Sequence, residues 1–143
     1  MSVTVDANIL VYASNEADPA HEPARAVLER LAAGPDILYL FWPVLLGYLR
    51  IVTHPAILPT PLAPGEATGN VTALVGRPHV RTPGEDPGFW DLYLGQGTRA
   101  RGNEVPDVHL ATLMRQYGVR TIYSRDRGFR RFEGLEVRDP EHA

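Results

Sequence analysis

Asp6, Asp107 and Asp126 each stand where a hydrophobic segment ends or a helix begins. Asp6 closes the run Ser2-Val3-Thr4-Val5, Asp107 follows Pro106 at the head of Val108 to Tyr117, and Asp126 follows Thr121-Ile122-Tyr123-Ser124. In open α/β sheets, the carboxyl ends of strands and the adjoining helix starts border one crevice, where ligands bind. Carboxylates gathered there repel one another unless a cation neutralises them, and an all-oxygen donor set suits Mg2+ or Mn2+. The pattern points to a metal site made by Asp6, Asp107 and Asp126, with phosphodiester hydrolysis as its chemistry. Each acid also has a plain structural use. Asp6 can form an Asx turn, Asp107 can complement a helix dipole, and Asp126 can pair with a flanking arginine. Asn8, two residues after Asp6, serves a helix cap or a hydrogen bond behind a metal ligand equally well.

The elements that must position these residues alternate. Residues 2–6 read as a buried strand, and Ile9, Leu10, Tyr12 and Ala13 resume with helical spacing. Ala24, Val27, Leu28 and Leu31 form an i, i+3, i+4, i+7 stripe, so 20–33 is a helix closed by Gly34-Pro35. A strand is expected over 37–41, and Pro43 suits the start of a helix that buries Val44, Leu45, Tyr48, Leu49 and Val52. A connector carrying Pro55, Pro59, Pro61 and Pro64 leads to a helix over 64–76 and a short strand over 79–82. A weak helix follows around Phe89, Leu92 and Tyr93, loosened by Gly95 and Gly97. A strong helix is expected from Pro106 to Tyr117, then a strand over 120–124 and a last one over 135–137. This alternation calls for one α/β domain, a parallel sheet between helical layers.

Composition narrows the chemistry. The chain has 143 residues, enough for one core, and no cysteine, which excludes disulfides, thiolate zinc sites and cysteine nucleophiles. It has no lysine either; all 14 basic residues are arginine, which excludes a P-loop lysine and Schiff-base catalysis. The net charge of −3 hides an asymmetry: residues 99–131 carry eight arginines against Glu104, Asp107 and Asp126. Arg99, Arg101, Arg125, Arg127, Arg130 and Arg131 are therefore candidates to hold phosphates around the acidic site. The five histidines show no metal-ligand spacing, and His109 is expected to point away from Asp107. Trp42, Trp90 and Tyr93 read as core or interface residues. No signal-peptide pattern opens the chain, and the apolar stretch Ile37 to Leu46 is too short to span a bilayer, so a soluble cytoplasmic protein is expected.

Four segments resemble PIN-domain ribonucleases, and in particular VapC-type toxins of bacterial toxin–antitoxin pairs. They are Asp6-Ala7-Asn8, Trp42-Pro43-Val44-Leu45-Leu46-Gly47-Tyr48-Leu49-Arg50, Gly102-Asn103-Glu104-Val105-Pro106-Asp107-Val108-His109-Leu110-Ala111 and Ser124-Arg125-Asp126-Arg127-Gly128-Phe129. They occur in the family's order over nearly the whole chain. The resemblance implies a Mg2+-dependent endoribonuclease with an α/β/α sheet, its metal held by Asp6, Asp107 and Asp126. It further implies that Asn8 orients the Asp6 side of the pocket, that Ser124 bonds near the metal or its water, and that Asn103 braces the loop before Asp107. RNA as substrate, a small antitoxin as partner, and homodimerisation come with it.

The likeness breaks at two positions. The family usually carries a glutamate where this chain has Gly47, and the second acid often found in the last block is Gly128. A glycine inside a helix costs roughly 0.5–1 kcal/mol relative to alanine. Its presence implies a close approach or a carboxylate no longer needed, and Glu104 is a candidate substitute. A catalytically weak or inactive PIN-fold interaction module is therefore the alternative. A haloacid-dehalogenase type of phosphohydrolase fits less well, because Asp6-Ala7-Asn8 lacks its second aspartate.

Overall fold

The computed structural model describes residues 1–142. In chain order the elements are β1 (Ser2–Val5), α1 (Ala7–Ser14), α2 (His21–Ala33), β2 (Ile37–Tyr39), α3 (Trp42–Val52), α4 (Pro64–Val75), β3 (Val80–Arg81), α5 (Phe89–Gly97), α6 (Glu104–Gln116), β4 (Thr121–Tyr123) and β5 (Glu136–Arg138). Single 3-10 turns cover Arg127–Arg131 and Pro140–His142. All strand pairs are parallel, in the order β3-β2-β1-β4-β5. The expected α/β/α architecture is therefore the observed one. No described helix is long and apolar enough to cross a membrane.

The topology dictates where a site can lie. From β1 the chain steps outward to β2 and β3, then crosses back to place β4 on the other side of β1. Right-handed crossovers put the helices of these two directions on opposite faces. The reversal leaves a crevice between the carboxyl ends of β1 and β4, the position where open parallel sheets bind ligands. Val3, Val5, Leu38 and Ile122 are almost wholly buried, as expected for strands covered on both faces. Ile9, Leu45, Leu113 and Met114 close on them from the helices.

Element ends differ from the sequence expectation in instructive ways. β2 ends at Tyr39, because Phe41 already leads into α3 as the residue before its first turn. α6 begins at Glu104, two residues before Pro106. Proline is tolerated there because the first N–H groups of a helix have no acceptor within it. Asp107 consequently sits within the first turn rather than at its head. Gly97, expected to loosen α5, is buried and fits its neighbour closely. A Cβ built on it would lie 2.3 Å from Val108 Cγ1 of α6.

Candidate metal centre

Asp6 reaches the crevice because β1 stops at Val5 and α1 starts at Ala7. The Asp6 N–H still bonds Tyr123 O at 3.2 Å, which ties the β1 end to the β4 end. One carboxylate oxygen caps α1 by accepting the Ile9 N–H at 3.2 Å, and the other accepts the Ser124 hydroxyl. Asp6, and not Asn8, is therefore the helix cap; Asn8 is exposed one residue into α1. Ser124, buried just past β4, also accepts the Asp126 N–H at 2.9 Å, so one hydroxyl joins two of the three acids' segments. Asp126 folds back to accept the Gly128 N–H at 2.8 Å, capping the 3-10 turn, and makes no ion pair with Arg125 or Arg127. Asp107 lies 3.6 Å from an Arg131 guanidinium nitrogen.

All three carboxylates line one cavity of about 150 Å3, walled by Ala7, Pro43, Val44, Leu110 and Phe129, with Asn8 and Pro106 at its border. A water needs roughly 10–15 Å3 of comparable space, so a hydrated ion has room. Burial raises the Asp6 carboxyl to about 6, against the pull of its Ser124 and main-chain hydrogen bonds; the Asp126 charge adds a smaller push. Asp107 is also raised, first by burial and then by Asp126, with Arg131 opposing. Asp126 thus acts electrostatically on both other acids. Glu104, exposed on the first turn of α6, adds to the charge felt by Asp107.

The donors suit a hard divalent cation, since they are carboxylates with neither thiolate nor imidazole among them. Asp6 is 7% exposed and makes no ion pair with any described arginine, so its charge is buried without a counter-ion. Among the described residues, however, no three acids or histidines form a ready-made ligand cage. Each aspartate is turned to its own partner: Ser124 and Ile9 N–H, Arg131, or Gly128 N–H. The residues fit such a cation by donor chemistry and by bordering one cavity, and their side chains would have to rotate to form a ligand set.

Other expected residues divide between those that reach the site and those that do not. Arg131 reaches Asp107, packs 4.4 Å over the Phe132 ring and donates to Gly128 O at 2.6 Å. Arg125 stands over the Tyr12 ring at 6.0 Å and 3.9 Å from Glu141. Arg99, Arg101, Arg127 and Arg130 are exposed. Asn103 precedes α6, and its side chain makes no capping hydrogen bond there. His109 pairs with Glu85, 2.5 Å away, and not with Asp107. Trp42 and Trp90 are 44% and 63% exposed, which removes them from the core. Gly47 faces α1: a Cβ there would make an ordinary 3.6 Å contact with Ala7 Cβ, so no tight packing demands glycine. Gly128 differs, since its Cβ would come within 2.9 Å of both Asp126 Oδ1 and Arg131 Nη1. Tyr12 is the residue the sequence did not disclose. Its phenol is raised, chiefly by burial and also by Asp18 and Asp6, which places it in the field of the acidic site.

A larger cavity of about 290 Å3 lies among α1, α2, α3 and α4, with Leu10, Leu28 and Leu74 among its apolar walls and Ser14, Arg25, Glu29, Tyr48 and Asn70 as polar members. It lacks the acidic cluster of the smaller one.

Comparison with known proteins agrees with this fold. The PIN domain family matches residues 3–135. Ribonuclease VapC48 of Mycobacterium tuberculosis is 51% identical over 142 residues, covering 98% of both chains. The crystal structure of M. tuberculosis VapC20, a sarcin-ricin-loop-cleaving toxin, superposes with a TM-score of 0.68 at 18% identity, covering 95% of this chain and 98% of that one. VapBC2 from Rickettsia felis, bound to a promoter DNA fragment, gives 0.67 at 18% identity, covering 97% and 98%. The last two likenesses carry the fold alone, but the family match and the VapC48 identity extend over nearly the whole sequence. The chain belongs to the PIN-domain family, as a VapC-type ribonuclease.

Proposed function

We propose that this chain is a Mg2+- or Mn2+-dependent endoribonuclease, the toxin of a toxin–antitoxin pair, with Asp6, Asp107 and Asp126 as its metal ligands. The observation that carries the reading is Asp6, a buried carboxylate with no cationic partner, sharing one cavity with two other acids. When bound, the metal would lower the pKa of a water and neutralise charge on the scissile phosphate. Ser124 ties the Asp6 carboxylate to the Asp126 main chain, so the two acids border the same cavity. Asn8, exposed beside Asp6, has an amide free to bond the phosphate or a water. Arg131 offsets part of the Asp107 charge and is placed to pass to an RNA phosphate as Asp107 turns to the metal. Arg99, Arg101, Arg125, Arg127 and Arg130 supply the rest of the positive margin. The protein works in the cytoplasm as one domain over 1–143. A small antitoxin is its inhibitor, in keeping with the VapBC2 complex that shares its fold. A homodimer is supported by Trp42, Leu46, Trp90 and Leu94, which are large apolar side chains left exposed.

The deciding experiment incubates purified protein with total RNA, with and without Mg2+ or Mn2+, beside Asp6→Ala. Metal-dependent cutting by the wild type alone supports the enzyme. Equal faint cutting by both proteins refutes it. The second reading, a PIN-fold module that binds a partner without cutting, is favoured by one observation: Gly47 removes an acid although a side chain there has room. Antitoxin binding with no metal-dependent cutting would select it.

A further inference from the structure

Away from the aspartates, a cavity of about 300 Å3 is lined by Arg30, Leu31, Gly34, Pro35, Asp36, Tyr123 and Arg138, none of which borders the acidic cavity. Its floor is Tyr123, whose ring is 3% exposed. Two arginines converge on that one phenol. Arg30 donates to its oxygen at 2.8 Å and Arg138 at 3.4 Å, and their guanidinium carbons lie 5.7 and 5.9 Å from the ring centroid. A phenol is a neutral acceptor, so this convergence of like charges is not balanced at the point where it occurs. Arg138 is engaged through Nε by Glu136 at 3.0 Å and through Nη1 by Tyr123, which leaves Nη2 to the cavity. Arg30 takes part in none of the ion pairs among the described residues. Asp36, the acid on the rim, stands 3.8 Å from the chain's terminal ammonium.

We propose that Arg30, Arg138 and Tyr123 form a second binding site, for a phosphate group, on the side of the sheet covered by α2. Two guanidinium forks offer parallel N–H donors matched to phosphate oxygens. The phenol fixes both forks and can itself donate its proton to a third oxygen. Leu31, Gly34 and Pro35 give the cavity an apolar wall that keeps competing water from one side. The volume exceeds that of a bare phosphate, so a phosphate carried on a sugar also fits. The group can come from an RNA backbone or from a free phosphate compound, and the chemistry of recognition is the same.

The test uses the full chain in EDTA, so that binding through a metal plays no part. Inorganic phosphate is titrated by isothermal calorimetry against wild type, Arg30→Gln, Arg30→Lys, Arg138→Gln and Arg77→Gln. Arg77 is an exposed arginine outside every cavity described above. Saturable wild-type binding is expected, weakened about tenfold or more by either Gln variant, less by Arg30→Lys, and unchanged in Arg77→Gln. Arg30 is exposed, so its variants report even if Arg138→Gln folds poorly. The absence of saturable binding, or an equal loss in Arg77→Gln, overturns the site. A short RNA in the same buffer then separates the sources. A salt slope about one unit shallower in Arg30→Gln identifies the RNA backbone, and unchanged RNA binding with weakened phosphate binding identifies a free phosphate compound.

Discussion

Asp6→Asn should make the metal-free protein more stable while abolishing its activity. The Asp6 carboxyl is raised to about 6 from 3.8, with burial as the leading cause. A displacement of roughly 2 pKa units corresponds to about 3 kcal/mol at neutral pH by linkage. Asparagine removes the buried charge and still accepts the Ile9 N–H. Its amide must, however, meet a Ser124 oxygen that already accepts the Asp126 N–H, which offsets part of the gain. A net stabilisation of roughly 1–3 kcal/mol remains, or about 3–9 °C in Tm for a chain of this length. A raised acid pKa means the folded state binds more protons than the unfolded chain. Its contribution is fully present below pH 3.8 and is lost as pH rises through about 6. The gap between variant and wild type should therefore be full at pH 7.5 and close towards pH 4. Shifts in other groups, such as the lowered Glu85 and Glu136, are common to both proteins and cancel. Thermal denaturation in EDTA across this range measures the gap, and repetition in Mg2+ should stabilise only the wild type. An Asn variant no more stable at pH 7.5, or a gap that persists unchanged at pH 4, would refute the reasoning.

Three further outcomes are expected. Gly47→Glu should fold, since a Cβ there makes only a 3.6 Å contact with Ala7, and should tighten Mg2+ binding and raise cleavage; calorimetry and a cleavage assay check it, and unchanged affinity would show that three carboxylates suffice. Gly97→Ala should destabilise by roughly 1–3 kcal/mol, because its Cβ falls 2.3 Å from Val108 Cγ1; denaturant melts should show Val108→Ala restoring most of the stability in the double variant. Neutralising Arg127 and Arg130 together should weaken RNA binding and flatten its salt dependence by about one unit for each phosphate no longer held; an unchanged slope in filter binding would place the RNA groove elsewhere.

The sequence disclosed what depends on periodicity and punctuation. The stripe Ala24, Val27, Leu31 gave α2, and Gly118 marked the end of α6 correctly, because burial and chain reversal leave local signatures. That Asp6 and Asp126 border one cavity was legible because they follow neighbouring parallel strands, whatever their spacing in the chain, whereas Asp107 reaches it from the first turn of α6. Less legible was anything that depends on a neighbour distant in sequence. Gly97 read as a loosener of α5, whereas its close neighbour is Val108. Asn8 and Asp6 are equally good caps by type, and only the strand end decides that Asp6 takes the role. Arg131 read as one of several phosphate-binding arginines, and its pairing with Asp107 emerges only when the 3-10 turn brings it back over α6.

That pairing changes how the positive margin should work. A carboxylate engaged by a guanidinium is not fully available to a cation, so on the proposed reading Mg2+ would compete with Arg131 for Asp107. Incoming RNA would resolve that competition, because a phosphate would offer Arg131 a better-matched acceptor and free Asp107 at the same moment. Metal and RNA should then bind with positive coupling, each tightening the other by the same factor. Arg131→Gln should strengthen Mg2+ binding in the absence of RNA while weakening RNA binding, and the coupling between the two should shrink. Arg130, exposed and without an acidic partner in the ion pairs described, is the control: Arg130→Gln should weaken RNA binding but leave Mg2+ affinity unchanged. If Arg131→Gln left both the metal affinity and the coupling as in the wild type, the 3.6 Å pair would be a surface contact with no part in assembling the site.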